Sequence, residues 1–97
     1  MTYSPLYDRR QKHSFDAYRF FMDIQQKIGI RIKELRNKKG LSQEALANFA
    51  DVDRTYMTGV ETGKRNISVK VLNKIIMALG ISYRFFFNDK IFDNNAN

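Results

Sequence analysis

Apolar residues along the chain recur at intervals of three and four, with no strand-like alternation longer than four residues. From Phe15 to Leu35 this series has the spacing of one helical face. Gly29 interrupts it, at a cost in helix propensity of about 1 kcal/mol relative to alanine. One long helix and two pieces broken near Gly29 are therefore both consistent with the series. The pattern predicts an all-α fold, in which the clearest amphipathic helix carries Leu72, Ile75, Ile76 and Leu79.

Capping residues divide the rest of the chain into short helices, so that five helices follow an N-terminal arm. Gly40 suits the left-handed residue after a helix end, and Leu41 supplies the apolar contact that accompanies such a cap. Asp51 is the expected left-handed residue in the next turn, since aspartate tolerates positive φ better than most residues. Each later helix then begins after an expected N-cap, namely Ser42, Asp53, Ser68 and Ser82.

The two helices between Gly40 and Asn66 are the most informative part of the chain. On the second helix, Gln43 to Phe49, we expect Ala45, Leu46 and Phe49 to face inward. On the third helix, Met57 and Val60 face inward, which leaves polar residues pointing outward from the first turns: Arg54, Thr55, Tyr56 and Thr58. Two short helices joined by a tight turn, with polar residues at the start of the second, are typical of a helix-turn-helix.

The outward residues have the chemistry that DNA recognition needs. Arg54 can fork onto a guanine, and Thr55 offers a hydroxyl and a methyl group. Gln43 can reach a phosphate or an adenine edge, and Ser42 and the free backbone N–H groups of that helix start can donate to a phosphate. Taken singly, each residue is as consistent with plain surface; the pattern becomes specific only as a set. The predicted DNA-binding residues are Ser42, Gln43, Arg54, Thr55, Tyr56, Thr58, Lys64, Arg65 and Asn66.

Composition and charge agree with this interpretation. The chain has 97 residues and a formal net charge of +7, which fits one small domain with an acidic partner such as nucleic acid. It has no cysteine and one histidine, so we expect no metal site and no cofactor. No apolar run approaches the roughly 20 residues that span a membrane, and the N-terminus lacks the apolar region of a signal peptide. We therefore expect a cytoplasmic protein.

The chain from Ile28 to Phe87 resembles the Cro/repressor-type (XRE-like) helix-turn-helix domain of bacterial and phage regulators. The residues that carry the resemblance are Ile28-Gly29, Arg31-Ile32, Leu35-Arg36, Lys39 to Glu44, Leu46-Ala47, Asp53 to Tyr56, Glu61 and Gly63 to Ser68. On this basis we divide the chain into an N-terminal arm and helical extension (1–22), a helix-turn-helix domain with a C-terminal dimerisation segment (23–92) and a frayed polar tail (93–97).

Within this family the chain is most similar to the controller proteins of restriction–modification systems. The similarity rests on Asp53 to Tyr56, on the basic turn from Lys64 to Asn66, on Ile81-Ser82 and on Phe86-Phe87. Controller proteins are small dimeric regulators of their own gene and of the endonuclease gene. The resemblance implies roles on base edges or phosphates for Arg54, Thr55, Tyr56, Thr58 and Arg65, and dimerisation through the C-terminal helices.

Three consecutive phenylalanines cannot all face one small core, because successive helix residues are about 100° apart. Phe86 is expected to fill the core. The others are either covered by the N-terminal arm or form a dimer interface, since exposed apolar patches usually mark one. We favour the interface, with Phe85, Phe87 and Phe92 as its residues.

The sequence thus predicts a transcriptional regulator that binds double-stranded DNA as a homodimer on a palindromic operator. The alternative is an antitoxin that represses its own operon and binds a toxin protein through the aromatic segment from Phe15 to Met22. An enzyme is not expected, because the chain lacks a Ser/His/Asp set, a metal-ligand set and a glycine-rich phosphate loop.

Overall fold

Five α-helices follow one another along residues 22–93, the part of the chain that the computed structural model describes. They are α1 (Ile24–Lys38), α2 (Gln43–Ala50), α3 (Arg54–Glu61), α4 (Val69–Leu79) and α5 (Tyr83–Phe87), and a 3₁₀ turn (Lys90–Phe92) follows. The all-α prediction is confirmed. None of the helices among the described residues is long and apolar enough to cross a membrane.

The starts of α2 to α5 lie where the capping residues predict them. Ser42, Ser68 and Ser82 each accept a hydrogen bond from the backbone N–H three residues on, at 3.0 to 3.1 Å. Such caps satisfy N–H groups that have no partner within the helix. At the other end of α1, Gly40 has φ 70°, and the Leu41 N–H donates to Arg36 O at 3.1 Å. That bond, which joins residues five positions apart, is the wider of the two hydrogen bonds that define a Schellman motif.

The start of α1 differs from both sequence alternatives. Asp23 is extended, with φ −76° and ψ 169°, and it forms a capping box with Gln26. A single helix from Phe15 is therefore wrong, and so is a break near Gly29, because α1 continues through that residue. Gly29 has a packing function instead: a Cβ atom there would lie 2.3 Å from Val60 O and 2.9 Å from Glu61 O. Residues 15–21 lie outside the described part.

The core forms where α1, α2, α3 and α4 meet, with α1 packed on α3 and α2 packed on both α3 and α4. Phe86 of α5 completes it and is fully buried. The other buried apolar residues are Ile28, Ile32, Leu35, Leu46, Ala47, Ala50, Met57, Val60, Ile75, Ile76 and Leu79.

The prediction that Phe49 faces inward is wrong: its side chain is 67% exposed. The buried residues of α2 are Leu46, Ala47 and Ala50. Two alanines at the contact let neighbouring helices approach closely, whereas a phenylalanine would hold them apart. Ala45, the small residue expected at that contact, is only half-buried.

Arg31 of α1 fixes the C-terminal end of the domain. Its guanidinium donates to Phe86 O at 2.7 Å and to Phe85 O at 2.8 Å. It also contacts Glu34 at 2.8 Å and Asp89 at 3.4 Å. The carbonyls at the end of a helix lack partners within the helix and carry partial negative charge, so a buried arginine suits them.

Candidate nucleic-acid interface

The turn between α2 and α3 has the geometry expected of a helix-turn-helix. Asp51 is left-handed, with φ 57° and ψ 48°, as predicted. The Val52 N–H donates back to Ala47 O at 2.9 Å. Asp53 then caps α3 by accepting from the N–H groups of Thr55 at 2.9 Å and Tyr56 at 3.3 Å. This sequence of local bonds fixes the angle at which α3 leaves the turn.

The first turn of α3 presents polar side chains to solvent. Arg54, Thr55 and Thr58 are exposed. Tyr56 is half-buried, because its ring packs against the core. Of the four residues predicted to point outward, three do so fully, and Tyr56 combines packing with surface exposure.

The basic turn after α3 folds back beside the helix. The N–H groups of Lys64 and Arg65 both donate to Gly59 O, at 2.9 and 3.1 Å. A Cβ atom on Gly59 would lie 3.2 Å from the Arg65 Cβ, which explains a glycine within α3. The Arg65 guanidinium lies 4.7 Å from the centre of the Tyr56 ring, a cation–π contact.

An open groove runs between α3 and this basic turn. Three of the residues along it are basic and none is acidic. It brings together six predicted DNA-binding residues: Arg54, Thr55, Thr58, Lys64, Arg65 and Asn66. Such a surface attracts phosphate and presents hydrogen-bonding groups beside it, which are the two requirements of DNA recognition.

A buried ion pair anchors α3 from behind. Arg36 of α1 donates to both carboxylate oxygens of Glu61, at 2.7 and 2.9 Å. Its remaining terminal nitrogen donates to Leu41 O at 2.8 Å. The Glu61 side chain is only 2% exposed. The hydrogen bond with Glu61 raises the pKa of Arg36, and the attraction of the carboxylate adds to this, while burial acts in the opposite direction.

Gln43 connects this ion pair to the exposed face of α3. Its Nε2 donates to Glu61 Oε1 at 3.0 Å, and its Oε1 accepts from the Thr58 hydroxyl at 2.9 Å. The sequence predicted that Gln43 binds DNA, and the structure gives its amide two protein partners. Arg36 and Glu61 were not predicted to have a function from the sequence. The only signal for them was their presence among the motif residues, since the pair is 25 positions apart.

The comparisons with known proteins agree with this geometry. A family model described as Helix-turn-helix matches residues 32–86, more than half of the chain. The chain belongs to the helix-turn-helix family. It is 46% identical over 68 residues to control protein C.MunI of a Mycoplasma species. The matched region covers 69% of this chain and 92% of that protein.

Solved structures of helix-turn-helix controller proteins have the same fold. The restriction–modification controller protein C.AhdI from Aeromonas hydrophila is 48% identical, with a TM-score of 0.62, covering 65% of this chain and 96% of that one. C.Esp1396I, solved as a tetramer in complex with its natural 35 base-pair operator, is 38% identical, with a TM-score of 0.65, covering 68% and 87%. The chain is thus a helix-turn-helix DNA-binding regulator homologous to restriction–modification controller proteins, as the sequence resemblance predicted.

The remaining predicted residues of this helix-turn-helix protein are not among those that line the groove. Ser42 is exposed, with its hydroxyl engaged in capping α2. Phe85 and Phe87 are 52% and 42% exposed, and Phe92 is half-buried. The ring centres of Phe86 and Phe87 lie 4.9 Å apart, and those of Phe87 and Phe92 lie 5.0 Å apart. Phe92 is therefore partly a core residue.

Two other expectations concern parts of the chain beyond this groove. Within residues 22–93, no group of three or more His, Cys, Asp or Glu side chains is arranged to hold a metal ion. The toxin-binding surface of the antitoxin alternative was placed on Phe15 to Met22, of which only Met22 is described. The alternative expectation, that the N-terminal arm covers the exposed phenylalanines, also concerns residues outside the described part.

Proposed function

We propose that this chain is a sequence-specific transcription regulator that binds a palindromic operator as a homodimer, and that it controls a restriction–modification system. The observation that carries the proposal is the exposed polar start of α3, a helix that is anchored to α1 at its C-terminal end. Arg54, Thr55 and Thr58 are exposed beside a basic turn, while the Arg36–Glu61 pair and Gln43 hold the helix from behind. Fixed donors and acceptors next to positive charge suit the reading of base edges rather than non-specific electrostatic binding to an acidic partner.

Each residue along the groove has a role that follows from its chemistry. Arg54 at the helix start forks onto a guanine, and Thr55 contacts a neighbouring base edge. Lys64, Arg65 and Asn66 bind phosphates, as do Ser42 and the N–H groups at the start of α2. Tyr56 stacks against Arg65 and holds it towards the DNA backbone. Gln43 acts mainly by positioning Thr58.

The relatives support the placement of the reading residues. The similar structures include C.Esp1396I with single substitutions of an arginine, a threonine and a tyrosine at three consecutive positions. The run Arg-Thr-Tyr occurs once in this chain, at residues 54–56, the first turn of α3. We take this as support for a shared function of these three side chains.

Dimerisation follows from the size of the reading surface, because one recognition helix contacts too few base pairs to specify a site. A two-fold dimer sets two such helices about 34 Å apart, one turn of B-DNA. We place the contact on the aromatic surface of Phe85, Phe87 and Phe92. Burial of about 800 Å² per partner is the usual size of a stable interface.

The dimer proposal is tested by sedimentation at micromolar concentration. We expect the wild-type chain to sediment as a dimer and the double variant Phe85→Glu/Phe87→Glu to sediment as a folded monomer. Phe49→Glu is the matched control, because Phe49 is still more exposed and lies on α2. A wild-type monomer, or a dimer unaffected by the double variant, would show that these phenylalanines do not form a dimer interface.

DNA binding is tested by a gel shift with the DNA upstream of the chain's own gene. We expect a discrete complex that survives excess random DNA. Loss of the complex under that competition would reject sequence-specific regulation. The neighbouring genes separate the two biological assignments: a methyltransferase and an endonuclease support the controller, and a small toxin gene supports the antitoxin. In either case we expect a cytoplasmic, non-enzymatic protein without a cofactor.

A further inference from the structure

The hydroxyl of Thr58 has two protein neighbours, and both are hydrogen-bond acceptors. Its Oγ1 lies 2.9 Å from Gln43 Oε1 and 3.1 Å from Arg54 O. A hydroxyl has one proton to donate and two lone pairs that accept. Whichever of the two neighbours accepts it, the single hydroxyl proton is engaged in a hydrogen bond within the protein.

The orientation of the Gln43 amide is not arbitrary. Glu61 Oε1, the atom that faces it, belongs to a carboxylate that Arg36 holds with two hydrogen bonds. A carboxylate only accepts, so the Gln43 amide must present its NH₂ group to Glu61, at 3.0 Å. The opposite orientation would place the amide oxygen against a carboxylate oxygen. The carbonyl end therefore faces Thr58.

The ion pair thus determines the polarity of an exposed side chain on α3. Arg36 donates to Glu61, Glu61 accepts from the Gln43 NH₂ group, and the Gln43 carbonyl faces the Thr58 hydroxyl. At the end of this series the Thr58 oxygen has lone pairs directed to solvent and no proton for an outside partner. Thr58 is exposed and lies one helical turn after Arg54, in the same groove.

We infer that Thr58 acts only as a hydrogen-bond acceptor towards DNA and recognises the exocyclic amino group of an adenine or a cytosine. In the major groove the donors are adenine N6 and cytosine N4. Guanine N7 and O6, thymine O4 and the phosphate oxygens are all acceptors, so they do not pair with this oxygen. The inference rests on the proposed DNA binding and adds a specificity rule to it.

The test is a double-mutant cycle on the protein's own recognition site, first defined by selection from random DNA. Thr58→Val keeps the shape of the side chain and removes the acceptor. On the DNA side, single adenines are replaced by purine and single cytosines by pyrimidin-2-one, which lack the amino group. Fluorescence anisotropy then gives the dissociation constant for each combination, and Thr58→Ser is expected to retain tight binding.

We expect Thr58→Val to weaken binding to the natural site about tenfold, the typical effect of leaving one buried amino group without a partner. At one analogue position, where the DNA lacks the amino group that Thr58 contacts, Thr58→Val should cause no further loss of affinity. That position shows whether the base is an adenine or a cytosine. Thr62→Val is the matched control: its hydroxyl also donates to a backbone carbonyl, Thr58 O at 2.9 Å, but lies at the C-terminal end of α3.

Two failures are distinguishable. If the wild-type chain selects no sequence, the proposed function is wrong. If it binds a specific site, the inference is overturned when Thr58→Val couples to a methylphosphonate, to 7-deazaguanine or to no position at all. Because Thr58 is on the surface, we expect the Thr58→Val variant to fold as the wild type does. Circular dichroism measures this.

Discussion

Two arginines of α1 are both buried, yet they hold different regions of the molecule by different chemistry. Arg36 is paired with the carboxylate of Glu61 on α3. Arg31 donates chiefly to the backbone carbonyls of Phe85 and Phe86 on α5. The first contact holds the helix that carries the residues proposed to face DNA, and the second holds the segment with the exposed phenylalanines.

The difference shows how each junction controls its surface. The ion pair ends in a side-chain series through Gln43 to Thr58, so it fixes the position and also the hydrogen-bonding polarity of α3. The carbonyl contacts of Arg31 fix only the backbone of α5. A carboxylate left without its arginine is a buried charge, whereas helix-end carbonyls can exchange an arginine for water. The α3 junction should therefore be the less tolerant of the two.

The largest effect is expected from Glu61→Ala, which leaves Arg36 buried without its carboxylate. We expect a loss in the free energy of unfolding of about 3–5 kcal/mol, the usual cost of removing one partner of a buried pair. Urea unfolding followed by circular dichroism measures it. Glu34→Ala is the control, since Glu34 is a 41% exposed partner of Arg31, and its loss should stay within about 1 kcal/mol. Equal losses for the two variants would contradict the ranking.

Arg31→Met is expected to have an intermediate effect of about 2–3 kcal/mol, because two charge-assisted hydrogen bonds are lost and water replaces part of them. The dimer should weaken as α5 loosens, while the salt dependence of DNA binding stays unchanged. Sedimentation and unfolding experiments measure the two effects. Lys33→Met, an exposed position on the same helix, should change neither quantity. An Arg31→Met loss larger than that of Glu61→Ala would reverse the comparison.

Arg54→Ala tests the reading half of the molecule without touching either junction. We expect a loss of roughly 1–3 kcal/mol in discrimination between the specific site and random DNA if the guanidinium forks onto a guanine. Dimerisation and the free energy of unfolding should remain as in the wild type. Competition binding measures the discrimination. An equal loss on specific and random DNA would instead make Arg54 a phosphate contact.

The smallest effect is expected from Arg65→Ala, which removes a single proposed phosphate contact. Binding should weaken on all sequences alike, and the slope of log affinity against log salt should fall by about one. Arg65→Lys keeps the charge and should keep the salt slope, so it serves as the control. If the Arg65→Ala slope is unchanged, Arg65 is not part of the interface.

Local features of the sequence predicted much of this fold. The N-caps at Ser42, Asp53, Ser68 and Ser82 bond to N–H groups two or three residues away, so their signal is contained in a short stretch of chain. The left-handed residue at Asp51 was predictable for the same reason. The aromatic pattern likewise indicated that Phe86 alone of the three consecutive phenylalanines fills the core.

Features that depend on distant parts of the chain were not predictable. Phe49 was assigned inward because it follows Leu46 at helical spacing, but the packing of α2 on α4 selects its alanine face instead. The apolar series left open whether Gly29 breaks the helix, and only the position of α3 shows that this glycine permits close approach. The connection from Arg36 through Glu61 to Gln43 spans 25 and 18 positions, and no local pattern records it.

We propose that two copies of this chain each place α3 against DNA to read a specific sequence. Selection of bound sequences from a random DNA library should then enrich a site of two inverted half-sites, with centres about 34 Å apart or one turn of B-DNA. This enrichment should be lost in the Phe85→Glu/Phe87→Glu variant. An enriched site without inverted symmetry, or no enrichment above the starting library, would show that the chain does not read a palindromic operator as a two-fold dimer.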